Sequence, residues 1–127
     1  MSVTHSTASK DLATNAVVDQ LDGAGSKLCF RISSAGAIAA TLTFATPAFG
    51  ASSAGVATRT GSIASDVSAA GNASAVSHAT LQTSADVVAI TCQVAASASD
   101  INMTGVLTIG AGDTVSCSSL TYAALSA

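Results

Sequence analysis

Histidine and serine, the residue types in this 127-residue chain that most often do catalytic chemistry, are not spaced in a catalytic pattern. His5 and His78 have no companion at the spacing of metal ligands. The chain contains no Gly-x-Ser-x-Gly turn, which presents the nucleophile in one large class of hydrolases. We therefore predict that the protein is not an enzyme and needs no metal or cofactor.

Three aspartates raise the question of a cation site, because each lies at or near the end of a predicted strand. Carboxylate oxygens of Asp86, Asp100 and Asp113 are ligands that hard cations prefer. No EF-hand-like spacing connects them, however, and aspartate is common in solvated turns. We favour the turn interpretation. All seven acidic residues are aspartates, and the absence of glutamate and tryptophan is unusual for a soluble enzyme.

The three cysteines are an odd number and form no Cys-x-x-Cys motif, which argues against a disulfide framework or a zinc knuckle. Each of Cys29, Cys92 and Cys117 lies within a strand-like run. We predict that they are reduced, small apolar residues of the sheets. A bridge between Cys92 and Cys117 on neighbouring strands is the alternative. Reduced cysteines fit folding in a reducing compartment.

Charge and hydropathy limit the partners of this chain. Its four basic residues are dispersed and its net charge is −3, so we expect no nucleic-acid binding. The most apolar window, residues 35–45, is too short to span a bilayer. No basic segment followed by an apolar one opens the chain, so we expect no signal peptide and no membrane association. The basic residues are Lys10, Lys27, Arg31 and Arg59.

Alternation of apolar and polar residues is the strongest structural signal in a chain that is half alanine, serine and threonine. Leu28, Phe30 and Ile32 fall on one face of a strand over residues 27–33. Residues 38–44 repeat the pattern after a turn at 34–36, which predicts a hairpin. Further strands are predicted at 56–60, 72–82, 86–94, 101–109 and 114–123, with turns at 83–85 and 110–113.

One helix is predicted near the start of the chain, over about residues 10–21. Thr7 or Ser9 would cap its first turn, and Gly23 would stop it. Its apolar stripe, which we expect to pack on the sheet, consists of Leu12, Ala13, Ala16, Val17 and Leu21. The predicted fold class is all-β: a single β-sandwich or jelly-roll-like domain over residues 10–127 with this short helix, preceded by an N-terminal arm over residues 1–9.

The chain resembles the small capsid cement, or decoration, proteins of tailed bacteriophages. The resemblance depends on residues 15–28 (NAVVDQLDGAGSKL), 42–50 (LTFATPAFG) and 55–58 (GVAT). In order, they give a short helix, a Gly-rich turn, a strand pair and a Pro-Ala-Phe-Gly segment. The similarity of pattern extends from about residue 10 to Tyr122. Unlike the family, this chain lacks large aromatic residues over 72–82.

The resemblance implies a jelly-roll-like structural protein of the virion. It would attach to the outer capsid surface where major capsid subunits meet, as a dimer or trimer at a symmetry axis, after synthesis in the host cytoplasm. The alternative is a receptor- or glycan-binding module of a head fibre or tail. That alternative needs an exposed aromatic platform, which a chain with one tyrosine and three phenylalanines scarcely provides.

Candidate contacts with the capsid or with other copies lie in two segments. Phe49 and Val56 are apolar residues with few local partners in a Gly-rich segment, although both would also fit at the open end of a sandwich. The arm over residues 1–9 is the second segment. The candidate contact residues are Val3 and His5 in the arm, and Pro47, Phe49, Val56 and Arg59 in the Gly-rich segment.

Overall fold

The structure, a computed structural model, describes residues 3–125. It is mostly β, with one short helix and a curled five-stranded sheet, as the predicted class requires. A second sheet has two strands of two residues each. The strands are β1 (Lys27–Arg31), β2 (Ile38–Thr43), β3 (Ala57–Thr58), β4 (His78–Gln82), β5 (Val88–Ala95), β6 (Ile101–Asn102) and β7 (Thr121–Tyr122).

Strand order in the large sheet is β2-β1-β4-β5-β6, and β3 pairs with β7 in the small one. Two predicted hairpins, β1–β2 and β4–β5, are confirmed as antiparallel pairs. The third, between residues 101–109 and 114–123, is wrong, because β6 pairs with β5 and β7 pairs with β3. β1 and β4 pair antiparallel between them, and β6 joins β5 in parallel over two residues. The alternating pattern therefore located the four longest strands correctly, because each has one apolar face to bury.

The core forms on one face of the large sheet. Leu28 on β1 lies opposite Leu42 on β2 and Leu81 on β4, and all three are at most 3 % exposed. Val18 and Leu21, at the end of the helical segment, pack into the same cluster. Burial of each such side chain stabilises the fold by about 1.5–3 kcal/mol.

Helix α1 spans Thr7–Val18 and continues into a 3-10 turn at Asp19–Leu21. It begins earlier than predicted, within the segment expected to be an arm, because the Ser6 Oγ accepts a hydrogen bond from the Ser9 N–H at 3.2 Å. The predicted caps, at residues 7 and 9, are therefore wrong. Of the expected arm, the described part that precedes the helix is residues 3–6; residues 1 and 2 lie outside the described range.

The inward face of α1 also differs from the predicted apolar stripe. Leu12 is 72 % exposed, whereas Thr14 and Val18 are fully buried. Thr14 and Val18 are four residues apart and share one face of the helix. Thr14 and its neighbours make polar contacts with a loop. These contacts turn this face of the helix toward the protein interior, and Leu12 is left in solvent.

Four predicted strands are shorter than expected, and of residues 56–60 only Ala57–Thr58 forms a strand. Only the last five residues of 72–82 form a strand, and 101–109 and 114–123 contribute two residues each. The remaining parts pair irregularly, for example through Asn72 N to Ile109 O at 2.9 Å. Alanine and serine provide little side-chain packing to favour a regular ladder. The turn at 110–113 is present, and the Gly110 N–H donates to the Asp113 carboxylate at 2.8 Å.

Aspartates cap backbone groups at one outer edge of the large sheet, on β2, and on the side of β5 that faces β6. The Thr41 N–H on β2 donates to the Asp66 carboxylate at 2.9 Å, and the Gln93 N–H on β5 donates to Asp100 at the same distance. An edge strand presents unpaired backbone groups that can pair with other chains. These carboxylates occupy part of that surface.

Candidate functional site

Most of the predicted contact residues lie in or beside one irregular hairpin, residues 48–60. Its two arms pair through Gly50 N to Thr58 O at 2.9 Å and Thr60 N to Ala48 O at 3.0 Å. At its tip, Ser53 and Val56 exchange two backbone hydrogen bonds. We call this element the 48–60 hairpin.

Three polar side chains on one face of α1 hold the tip of the 48–60 hairpin. The Asp11 carboxylate accepts hydrogen bonds from the Ser52 hydroxyl and the Gly55 N–H, both at 2.7 Å. The Asn15 Oδ1 accepts from the Ser52 N–H at 2.8 Å. Thr14 donates from its hydroxyl to the Gly55 carbonyl at 2.7 Å. Their spacing along one helical face brings all three to the same loop.

Gly55 is required at the point of closest approach. Its φ of +83° is in the left-handed region, and a Cβ there would lie 2.9 Å from the Lys10 Cβ. Any side chain would therefore push the 48–60 hairpin away from α1. The Ser52 hydroxyl and the Gly55 N–H also lower the pKa of Asp11, because both bond to its charged form.

Most of the predicted contact residues are exposed to solvent. Val3 is 64 % exposed and Val56 is 40 % exposed. His5 and Pro47 are exposed as well. Val3 and His5 precede α1, Val56 lies on the 48–60 hairpin that docks on α1, and Pro47 directly precedes that hairpin.

Phe49 differs from the other predicted contact residues, because its side chain is only 3 % exposed. Its ring centroid is 5.7 Å from that of Phe44, with the rings tilted by 47°. Such an aromatic pair is a core contact. Phe49 therefore presents almost no side-chain surface to a partner, and its place in the core cluster favours the alternative interpretation of this residue.

Arg59 is half-buried and holds two loops together. Its guanidinium donates to the carbonyls of Gly61 and Ser118. Its backbone N–H donates to the Leu120 carbonyl at 3.1 Å. The Arg59 side chain therefore has a structural role between the 48–60 hairpin and the segment before β7.

Leu12 is the surface residue that sequence reasoning missed. It lies on α1 and is the second most exposed of the large apolar residues after Val106. The sequence did contain a signal for this exposure. Asp11, Thr14 and Asn15 are spaced so that they share one face of the helix, and that polar face docks while Leu12 lies away from it. We use the name helix surface for three separately exposed apolar residues: Val3 before α1, Leu12 on α1 and Val56 on the 48–60 hairpin.

A second polar cluster covers the opposite face of the large sheet. Arg31 Nε donates to Thr80 Oγ1 at 2.9 Å, and Arg31 Nη2 donates to Gln82 Oε1 at 3.0 Å. Gln82 Nε2 donates to Asp86 Oδ1 at 2.9 Å, and Lys27 Nζ lies 2.7 Å from the same oxygen. Thr80 and Gln82 are 1 % exposed. The cluster satisfies buried polar groups internally, which is a structural role.

The cysteines are all free, so the alternative Cys92–Cys117 bridge is absent from the structure. Burial raises the pKa of all three thiols, and it raises that of Cys92 to about 11. The thiolate is the reactive form of cysteine, so these thiols are weak nucleophiles at neutral pH.

The other predicted chemical groups are apart from one another and engaged locally. His78 Nδ1 lies 2.8 Å from the Ser77 hydroxyl. Asp86, Asp100 and Asp113 bond to three different segments. Over residues 3–125, no three metal-ligating side chains group together. The same part of the chain contains no helix long and apolar enough to cross a membrane.

Comparison of the chain with known protein families, with curated proteins and with solved structures finds no match. The residues and their geometry are therefore the evidence for function.

The docking of the 48–60 hairpin is tested by replacing Thr14. Its hydroxyl also accepts from the Ala124 N–H at 3.1 Å, so Thr14→Val leaves the buried Gly55 carbonyl and the part-buried Ala124 N–H without partners. We expect the free energy of unfolding to fall by about 1–3 kcal/mol for each group. Chemical denaturation measures this change. Thr14→Ser keeps the hydroxyl and is the matched control; equal losses in both variants would contradict the role of the hydroxyl.

The Lys27–Asp86 pair predicts a pH-dependent stability. The hydrogen bond from Lys27, then that from Gln82, lowers the pKa of Asp86 below 3.8 in the folded state. The carboxylate therefore stabilises the fold above pH 3.8, and this contribution is lost as the pH falls through the folded-state pKa. Asp86→Asn should lower stability at pH 7, and its difference from the wild type should shrink in acid.

Denaturation series from neutral pH into acid measure that difference. Lys27→Gln should show the same pH dependence, and the double variant should add little to either single one. A difference between Asp86→Asn and the wild type that stays constant throughout the series would contradict the account.

Proposed function

We propose that this protein is a structural component of a phage virion, which decorates the outer capsid surface and stabilises it by bridging major capsid protein subunits. It would be made in the host cytoplasm, act without catalysis, and occupy the shell as a dimer or trimer at a symmetry axis. No nucleic acid and no membrane is part of this proposal. The bacteriophage resemblance of residues 15–28, 42–50 and 55–58 is its starting point.

One observation carries the proposal: four of the seven aspartates and both arginines bind the protein's own backbone through their side chains. Such groups are occupied in holding the fold and are poorly placed to act on a substrate, which supports a structural role. The aspartates that accept a hydrogen bond from a backbone N–H include Asp11, Asp66, Asp100 and Asp113. Arg31 and Arg59 likewise donate to carbonyls of Gly36, Gly61 and Ser118.

The helix surface supplies apolar area that a capsid subunit would bury. Val3, Leu12 and Val56 are each at least 40 % exposed. Burial of apolar side chains is the main favourable contribution to most protein association. Because decoration binds only the assembled shell, each added copy shifts the equilibrium toward the assembled state.

A two-layer arrangement belongs to the same proposal. The large sheet would form one layer, and the 48–60 hairpin with β3 and β7 would form the second, across the apolar core. Burial of Phe49 and Ala57 in the cluster that contains Leu28 and Leu42 supports this β-sandwich or jelly-roll-like interpretation.

A glycan- or receptor-binding module remains the second candidate, and one observation favours it. A cleft of about 760 Å³ lies between residues 100–109 and 113–121 and is rich in hydroxyl side chains. Sugar rings, however, are usually recognised on exposed aromatic faces. Phe30 is the one aromatic residue that lines this cleft, and it is 3 % exposed.

The decisive experiment mixes the purified protein with undecorated mature heads of the phage that encodes it and measures co-sedimentation. We expect saturation at a fixed number of copies per head. Leu12→Ala should weaken binding about 10- to 100-fold, as expected for an apolar side chain worth 1.5–3 kcal/mol. Its melting temperature should stay close to that of the wild type, because Leu12 is exposed.

Val106→Ala is the matched control, because Val106 is 77 % exposed and lies outside the helix surface. Its binding should equal that of the wild type. Absence of binding to any form of the head would contradict the capsid proposal, and binding to immobilised glycans instead would support the second candidate.

A further inference from the structure

The helical segment ends in two aspartates three residues apart, Asp19 and Asp22. Asp19 begins the 3-10 turn, and the Asp22 N–H closes that turn by donating to the Asp19 carbonyl at 3.2 Å. The turn contains no basic residue. Carboxylates at the C-terminal end of a helix oppose its macrodipole, so two negative charges at this place are unfavourable.

The two carboxyl groups differ in their exposure to solvent. Asp19 is exposed, whereas Asp22 is half-buried, and the Asp22 Oδ1 is buried without a hydrogen-bond partner. A buried oxygen that carries charge and makes no hydrogen bond is costly. The exposed Asp19 is therefore the better place for a negative charge, and Asp22 is the better place for a proton.

The Asp19 and Asp22 side chains are close enough to form a hydrogen bond with each other. Two ionised carboxylates cannot form that bond, because an ionised carboxylate only accepts. A proton on Asp22 supplies the missing donor. Asp22 then donates to the charged Asp19, and the half-buried group becomes neutral. A hydrogen bond from a carboxylic acid to a carboxylate belongs to the strong, charge-assisted class.

We propose that Asp19 and Asp22 share one proton and form a pH-sensitive switch, which holds the 3-10 turn closed while the proton is present and loosens it once the proton leaves. Loss of the proton places two like charges on one short turn. The same turn carries Leu21, which is fully buried in the core, and Asp22 faces the N–H of Phe49 in the 48–60 hairpin. The switch does not depend on the proposed capsid role, and either can fail without the other.

The charged groups of the surrounding elements leave the pair without a cation. Within residues 3–125, Asp19 is the charged group that acts on the Asp22 carboxyl. Arg59 on the 48–60 hairpin bonds to loop carbonyls, and Lys27 on β1 is paired with Asp86. The other charged or titratable residues of these elements are Arg31 on β1, bonded to Gly36, Thr80 and Gln82, and His5, Lys10 and Asp11 at the far end of α1. A second charge on the pair is therefore not offset.

Burial of Asp22, then the charge of Asp19 and the hydrogen bond with it, raises the pKa of Asp22 above 3.8. The Phe49 N–H acts in the opposite direction, because it favours the charged form. Between pH 3.8 and the raised pKa, the folded chain keeps a proton that the unfolded chain has lost. The stabilisation is therefore fully present below pH 3.8 and is lost as the pH rises through the folded-state pKa.

Nuclear magnetic resonance of the side-chain carboxyl groups, followed from acid to neutral pH, tests the shared proton. We expect the pKa of Asp22 to lie above its ordinary value and that of Asp11, at the other end of α1, to lie below it. In Asp19→Asn, the pKa of Asp22 should fall but stay raised, because its burial is unchanged. An Asp22 that titrates at or below its ordinary value would overturn the shared proton.

Thermal unfolding of Asp22→Asn tests the switch, because the asparagine amide donates to Asp19 without becoming charged. At neutral pH its melting temperature should exceed that of the wild type by roughly 2–5 °C, and the difference should vanish in acid. This pH dependence is opposite to that of Asp86→Asn. Asp22→Ala, which is neutral but cannot donate, is the control and should be less stable than Asp22→Asn at every pH.

Amide exchange of Asp22, whose N–H closes the 3-10 turn, gives the structural measurement. After correction for the intrinsic pH dependence of exchange, its protection in the wild type should fall as the pH rises through the pKa of Asp22, and Asp22→Asn should keep the protection. Equal protection on both sides of that pKa would overturn the switch. A difference in melting temperature between Asp22→Asn and the wild type that does not change with pH would overturn it as well.

Discussion

The structure depends on hydrogen bonds between the backbone and polar side chains: aspartate carboxylates accept from backbone N–H groups, and hydroxyls bond to carbonyls, in the loops and along open sides of strands. Much of the chain between the long strands is irregular, and every buried N–H and C=O there needs a partner. Asp11 and Thr14 satisfy Gly55 in the 48–60 hairpin, and Asp66 satisfies Thr41 at a sheet edge. A short carboxylate close to the backbone suits this task better than glutamate, which accounts for aspartate at positions 11, 66, 100 and 113.

This constraint also explains what the sequence could predict. The strands β1, β2, β4 and β5 have an apolar face, and their alternation located them and the two hairpins that they form. The face of α1 was mispredicted because Asp11, Thr14 and Asn15 dock on a loop through hydrogen bonds, and hydropathy does not record such bonds. Phe49 was misplaced for a related reason: its partner, Phe44, is brought to it only by the turn of the chain between them.

The side chains available for contact with other molecules are those that these hydrogen bonds leave exposed. Charged side chains that hold the backbone give the surface few free chemical groups, whereas Val3, Leu12 and Val56 remain exposed around the helix. The molecule thus presents exposed apolar area. The proposed capsid contact would bury that area.

Amide hydrogen exchange in dilute protein tests the central claim most directly. The N–H groups of Thr41, Gly55 and Gln93 each donate to an aspartate. If these bonds hold the fold, the three amides should be protected nearly as well as those inside β1, whereas the Thr91 amide on the open edge should exchange freely. Exchange of the three amides at the rate of Thr91 would contradict the account, because the carboxylates would then hold nothing in place.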